Sequence, residues 1–250
     1  MPRVRDFAAR KSSCTRVTDP TPLPRWTKHW REWRGFVLFV AVMLVFRSAI
    51  ADWNQIPSGS MKPSILVGDR IVVDKIAYDL RVPFTLQRLA RWSHPKRGDV
   101  VTFPSPEDEI TLIKRVAGLP GDVIEMRDNV LIVNGEVARY APMPQAEIDA
   151  LPIDGKDDYR FFYEDVAGMH HAVMLSRNAT FPDRKTFPPM RVPDGQFLML
   201  GDNRDDSKDS RYIGCIDGDR ITGRAEAIAF SLDTDHHWAP RLDRFFSSLP

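Results

Sequence analysis

The chain has 250 residues, with 35 Lys/Arg against 34 Asp/Glu and a formal net charge of +1. That length suits one large domain or two small ones, and the balanced charge argues against a dedicated nucleic-acid binder. Its two cysteines, Cys14 and Cys215, stand in no CxxC pattern, which removes zinc-ribbon and thioredoxin-like readings.

The charge is unevenly placed. Residues 1 to 34 hold nine Lys/Arg against Asp6, Asp19 and Glu32. Residues 1 to 29 read as a basic, proline-bearing cytosolic tail. An uncharged run, GFVLFVAVMLVF, follows from 35 to 46. It is shorter than the roughly 20 residues a bilayer span needs. Three readings compete: a cleavable signal peptide, a buried core helix, and an uncleaved anchor over 30 to 51. Charge and aromatic placement favour the anchor, with Trp30, Trp33, Arg31 and Arg34 at one end and Arg47 at the other. The basic excess before it puts the N-terminus in the cytosol and everything after it outside.

Beyond the anchor the pattern becomes β. Residues 52 to 137 and 196 to 235 read as a β-rich core, with strands over 70 to 77, 100 to 103 and 110 to 116. A hairpin is expected over 123 to 133, followed by the Asn134-Gly135 turn. Residues 81 to 94 form an apolar-basic excursion with Phe84, Leu86, Leu89 and Trp92, read either as a lipid-touching loop or as an ordinary packed one. Residues 138 to 195 are rich in proline, acids and aromatics and read as an inserted subdomain, with strands near 160 to 163 and 171 to 176. Residues 236 to 250 are a tail, with an amphipathic helix expected over 241 to 249. The expected fold class is mainly β: one N-terminal transmembrane helix, then an antiparallel β-rich domain with an inserted subdomain.

Three stretches carry chemistry. Ser58-Gly59-Ser60-Met61 lies between Pro57 and Pro63, a stiff loop that can present a hydroxyl; two serines about a glycine also occur in plain turns. Lys114 lies in a strand pattern where Leu112 and Val116 share its face, so an apolar setting can favour its neutral amine; snorkelling to solvent is the alternative. Residues 201 to 212 (GDNRDDSKDSRY) are dense in hydrogen-bonding groups. Asp209 beside Ser210-Arg211 suggests an ion pair that shapes this loop. A calcium loop fails on EF-hand spacing, no HExxH is present, and the six histidines fall in no catalytic pattern. No metal or other cofactor is expected.

Four segments together resemble the bacterial type I signal peptidases, membrane-bound Ser/Lys proteases. They are Ile56-Pro57-Ser58-Gly59-Ser60-Met61-Lys62-Pro63, Asp69-Arg70-Ile71-Val72-Val73-Asp74-Lys75, Lys114-Arg115-Val116-Ala117-Gly118-Leu119-Pro120-Gly121-Asp122, and Gly201-Asp202-Asn203-Arg204 through Ser207, Asp209, Ser210 and Arg211. The resemblance implies Ser60 as nucleophile and Lys114 as general base. It implies an oxyanion hole from the Ser60 N–H and the Ser58 hydroxyl, and a Ser207 hydroxyl bonded to the Lys114 amine. Asp209 and Arg211 would support the site, and Met61, Ile65, Leu112 and Ile113 would line shallow pockets for an Ala-x-Ala motif. It further implies signal peptides of secreted preproteins as substrates, a phospholipid membrane and the export translocon as neighbours, and an inner-membrane location with the catalytic domain outside. A specialised secretion-system peptidase and a non-catalytic β scaffold are the alternatives. The chain departs from the family in having one visible span where relatives often have two, and in lacking a cysteine pair over 138 to 195.

Overall fold

The computed structural model describes residues 25 to 249 except 50, 83, 84, 86, 179–183, 235 and 236. The expected cytosolic tail up to residue 24, and Phe84 and Leu86 of the excursion, lie outside the described residues. Helix α1 runs Arg25–Ala49. Trp33, Phe36, Leu38, Phe39 and Leu44 on it are exposed. Arg47 in its last turn complements the negative end of the helix dipole and pairs with Asp52 at 2.8 Å. The helix covers most of the expected anchor. Among the described residues, however, no helix is long and apolar enough to cross a membrane, because Arg34 and Arg47 close the uncharged stretch at both ends.

The rest is antiparallel β. In chain order the strands are β1 (Ala51–Gln55), β2 (Asp69–Asp74), β3 (Asp79–Arg81), β4 (Arg88–Arg91), β5 (Val100–Pro104), β6 (Thr111–Gly118), β7 (Val123–Arg127), β8 (Val130–Val133), β9 (Glu136–Val137) and β10 (Arg139–Pro142). Helix α2 (Gln145–Ala150) precedes β11 (Tyr159–Val166), β12 (Met169–Ser176), β13 (Phe187–Arg191) and β14 (Gln196–Leu200). The short α3 (Ser210–Ile213) leads to β15 (Ile216–Asp217), β16 (Gly223–Asp233), β17 (Ala239–Pro240) and β18 (Ser247–Ser248). The main sheet has the order β1-β2-β16-β5-β6-β14-β15, with β17 and β18 against β16.

Sequence pattern explains where the strands lie. In β2, Asp69, Ile71 and Val73 are buried and their neighbours only partly so, the period-2 signature of a strand with one face on the core. In β6 every residue from Ile113 to Gly118 is buried, as befits a strand covered on both faces. The hairpin β7–β8 forms in the expected register, and Asn134 and Gly135 both take positive φ, 51° and 84°, as its tight turn to β9 requires.

The excursion over 81 to 94 is largely a two-stranded hairpin, β3–β4. Residues 138 to 195 build the sheet β10-β11-β12, and β13 returns to pair with β7. The helix expected over 241 to 249 is replaced by a 3-10 turn, Leu242–Arg244, and β18. Here Arg241 donates to the Val67 carbonyl at 3.0 Å and Arg244 holds Asp69 at 2.7 Å, so the tail follows its arginines rather than a helical period.

Candidate active site

The loop joining β1 to β2 carries Ser58 and Ser60. Its neck is closed by backbone bonds from Ile56 N to Asp69 O and from Gly68 N to Ile56 O. Inside the neck, Lys62 N bonds to Gly59 O at 3.1 Å and Ile65 N to Met61 O at 2.9 Å. Met61 and Ile65 have no exposed surface; they pack with Ile56, Ile71, Val73, Val100 and Ile113 and pin the loop to the sheet. Of the four residues expected to line substrate pockets, Met61, Ile65 and Ile113 lie in this core and Leu112 is half-buried. Residues four apart on a helical turn share one face, and that face points into the core. Leu112, half-buried at the start of the covered part of β6, is the one of the four with substantial exposed surface.

Strand β6 brings Lys114 to this loop. Its Nζ donates to Ser60 Oγ at 2.7 Å and to the Ile113 carbonyl at 2.9 Å, and only 2% of the residue is exposed. Burial lowers its pKa to about 8; Asp209 and Asp202 oppose the shift and Arg211 adds to it. The Ser58 hydroxyl is 3.5 Å from Ser60 Oγ. The Ser60 N–H has no acceptor among the described residues.

The loop after β14 closes the site from the other side. Asn203 N donates to Ser60 O at 3.0 Å, and Asn203 Nδ2 to Gly59 O at 3.1 Å. Asp209 pairs with Arg211 through Nε at 2.8 Å and Nη2 at 2.9 Å, and accepts from Gly201 N at 3.0 Å. The expected loop-shaping pair is therefore present. Ser207 differs from expectation. Its hydroxyl is fully buried and has no hydrogen-bond partner among the described residues, because the Lys114 amine is directed to Ser60 and Ile113 O instead. Ser207 packs against Gly201, where an added Cβ would come within 2.2 Å of the hydroxyl and 2.6 Å of Ser60 O. Only glycine fits there.

Sequence reasoning missed the buried ionic scaffold around these residues. Arg115, next to Lys114, grips Asp202 through Nε at 2.9 Å and Nη2 at 2.8 Å, and Ser64 Oγ donates to the same carboxylate at 2.6 Å. Burial pushes the Asp202 carboxyl up, but Arg115 outweighs it and holds it below the usual range. His171 Nε2 is 3.7 Å from both Asp202 and Glu164. Burial lowers its pKa to about 4, so it is neutral at neutral pH. Glu164 is paired with the buried Arg204 at 2.7 Å. Glu164 and His171 face each other across β11 and β12. Acidic and imidazole side chains at inward positions of apolar strands were the available clue. Cys215 is half-buried against an apolar cluster, and burial raises its thiol pKa.

A hydroxyl, a buried amine at hydrogen-bond distance and a free backbone N–H beside them are the parts that acyl transfer needs. The comparisons agree with that chemistry. Residues 30–230 match the family described as signal peptidase, peptidase S26. The chain is 35% identical over 212 residues to signal peptidase I of Pseudomonas fluorescens, covering 79% of this chain and 71% of that one. It is 35% identical over 231 residues to signal peptidase I of Pseudomonas aeruginosa, covering 87% and 75%. Against signal peptidase I of Buchnera aphidicola from Acyrthosiphon pisum it is 32% identical over 249 residues, covering 85% and 79%. With four-fifths of its length inside the family match, this chain belongs to the signal peptidases, peptidase family S26.

Proposed function

We propose that this protein is a serine endopeptidase that removes signal peptides from preproteins, with Ser60 as nucleophile and Lys114 as general base. The observation that carries the assignment is the 2.7 Å contact between the buried Lys114 amine and Ser60 Oγ. Ser60 Oγ attacks the scissile carbonyl carbon, and its proton passes to Lys114 Nζ. The oxyanion is met by the Ser60 N–H and, after rotation, by the Ser58 hydroxyl. The C–N bond breaks as Lys114 returns the proton to the leaving amine of the mature chain. Water, deprotonated by the same amine, then hydrolyses the acyl-serine ester. Ser207, Asp209 and Arg211 act by holding the loop against Ser60 and Lys114. Leu112 and Ile113 offer apolar surface beside the nucleophile for the small residues of an Ala-x-Ala site. A non-catalytic scaffold would have no use for an amine buried at this cost.

The pH dependence tests the base. Only the neutral amine can take the proton, so kcat/KM on a model preprotein should rise with pH and level off above the Lys114 pKa of about 8. At two pH units below that value the rate should be about a hundredfold under the plateau. A flat profile from neutral to alkaline pH overturns the assignment of Lys114.

The same reading places the enzyme at a membrane, near the translocon that delivers its substrates. Support comes from the exposed apolar side chains of α1 and from the basic residues before its uncharged stretch. Long basic side chains at both ends can extend the reach of a short apolar stretch. The N-terminus then lies in the cytosol and the β domain outside. The protein should stay with the membrane pellet after alkaline carbonate extraction; release to the supernatant overturns the anchor.

A further inference from the structure

The loop that carries Ser60 also carries a cation with no counter-charge. Lys62 is half-buried and makes no side-chain hydrogen bond or ion pair among the described residues. Its side chain folds back along the loop: a Cβ at Gly59 would lie 3.3 Å from Lys62 Cε and 3.7 Å from Nζ. The ammonium therefore flanks the residue beside the nucleophile. Partial burial strips it of hydration and holds a long side chain in one place. A carboxylate arriving with the substrate would offset that cost.

Lys62 also lines a cleft of about 310 Å³, together with Val67, Ile153, Asp154, Lys156 and Arg241. No residue of β5, β6 or β14 lines it, so its walls are distinct from Lys114, Leu112 and Ile113. Arg241 pairs with Asp233, another wall residue of the cleft, at 3.2 Å, and Lys156 donates to the neutral Asp149 carbonyl at 2.7 Å. Of the three cations lining the cleft, Lys62 is the one with neither a hydrogen bond nor an ion pair from its side chain among the described residues.

We infer that this cleft receives the first residues of the mature chain, just past the scissile bond, and that Lys62 pairs with an acidic side chain there. The inference rests on the proposed roles of Ser60 and Lys114. Its chemical basis is a contrast between the two halves of the substrate. A signal peptide is apolar and presents small residues before the cut, which suits the Leu112–Ile113 side. A polar, cation-bearing cleft suits the mature segment, whose side chains are free to be acidic.

The test uses peptides with one signal-peptide sequence, differing only by Asp or Asn at single positions +1 to +3, with an Asp/Asn pair at −2 as control. Reading the Asp-to-Asn ratio of kcat/KM within each enzyme cancels any general loss of activity. The wild type should favour Asp about fivefold at one of the positions after the cut, and added salt should shrink the ratio. Lys62→Gln should bring it to about one, Lys62→Glu should invert it, and Lys62→Arg should keep it. A ratio of one in the wild type, a ratio that survives in Lys62→Gln, or a preference confined to −2 overturns the inference. Failure of the wild type to cleave even the Asn peptides, or cleavage by Ser60→Ala, would instead overturn the reading beneath it.

Discussion

Lys114→Met should lower kcat on a model preprotein by about a thousandfold, the range expected when a positioned general base is lost. Ser60→Ala should be at least as severe, and the double variant should be no worse than the more damaged single one, because the two groups act as a unit. Multiplying losses would separate them into independent roles and overturn the dyad. The fold should survive in each variant. Lysine at this position is a burden to the native state: its pKa falls from 10.5 to about 8 on burial. Between those values the unfolded chain takes up a proton that the native chain declines, so native stability falls as pH drops from 10.5 to about 8 and stays reduced below. That burden is about 3 kcal/mol, and the two hydrogen bonds of the amine return about 1 kcal/mol each. Methionine, of similar length and uncharged, should therefore melt no lower than wild type at pH 7. The advantage should disappear above pH 10.5, which thermal melts at the two pH values would register.

Arg204→Leu should have the opposite character: a structural loss first, with activity following. Arg204 is 1% exposed and faces Glu164, which has no exposed surface, at 2.7 Å. Removing the guanidinium leaves a carboxylate in the interior without its counter-charge, a defect worth about 3–5 kcal/mol. Burial would then push the Glu164 pKa up, so the variant should lose further stability as pH rises through the usual carboxylate range and beyond. Replacing both partners, Arg204→Leu with Glu164→Leu, should recover most of the loss, since two apolar side chains leave no charge behind. Tyr140, which also bonds Glu164, keeps the Asn129 carbonyl at 3.0 Å as an acceptor. Denaturant titration of the three proteins measures this, and a loss under about 1 kcal/mol in the single variant would show that Glu164 is not held charged.

Much of the framework can be read from local pattern. The alternation of Leu112, Lys114 and Val116 marks a strand from local sequence, because strand period is a local property, and the structure buries Lys114 within it. Asp209 and Arg211 are two residues apart, and a pair that close can be seen without knowing the fold. The scaffold around them is different. Arg115 and Asp202 are 87 positions apart, and Glu164 and Arg204 are 40 apart; pairs at such separation leave no periodic trace. Met61 and Ile65 enter as pocket residues only through the family resemblance, while their four-residue spacing marks a single face, which packs into the core. The tail misleads for the converse reason. Arg241 and Arg244 have helical spacing, yet it is Val67 and Asp69, far back in the chain, that fix their positions.

The place of β16 has a consequence for timing. It lies between β2 and β5 in the main sheet, although it is among the last strands made. The Ser60 loop belongs to the hairpin β1–β2, and Lys114 to the hairpin β5–β6. Those two hairpins share no ladder until residues 223 to 233 insert between them. A chain emerging from its N-terminus thus carries nucleophile and base for most of its synthesis without the strand that aligns them. Residues 223 to 233 thus close the sheet that holds the two hairpins side by side, and a chain cut before them should lose cleavage in the same preprotein assay.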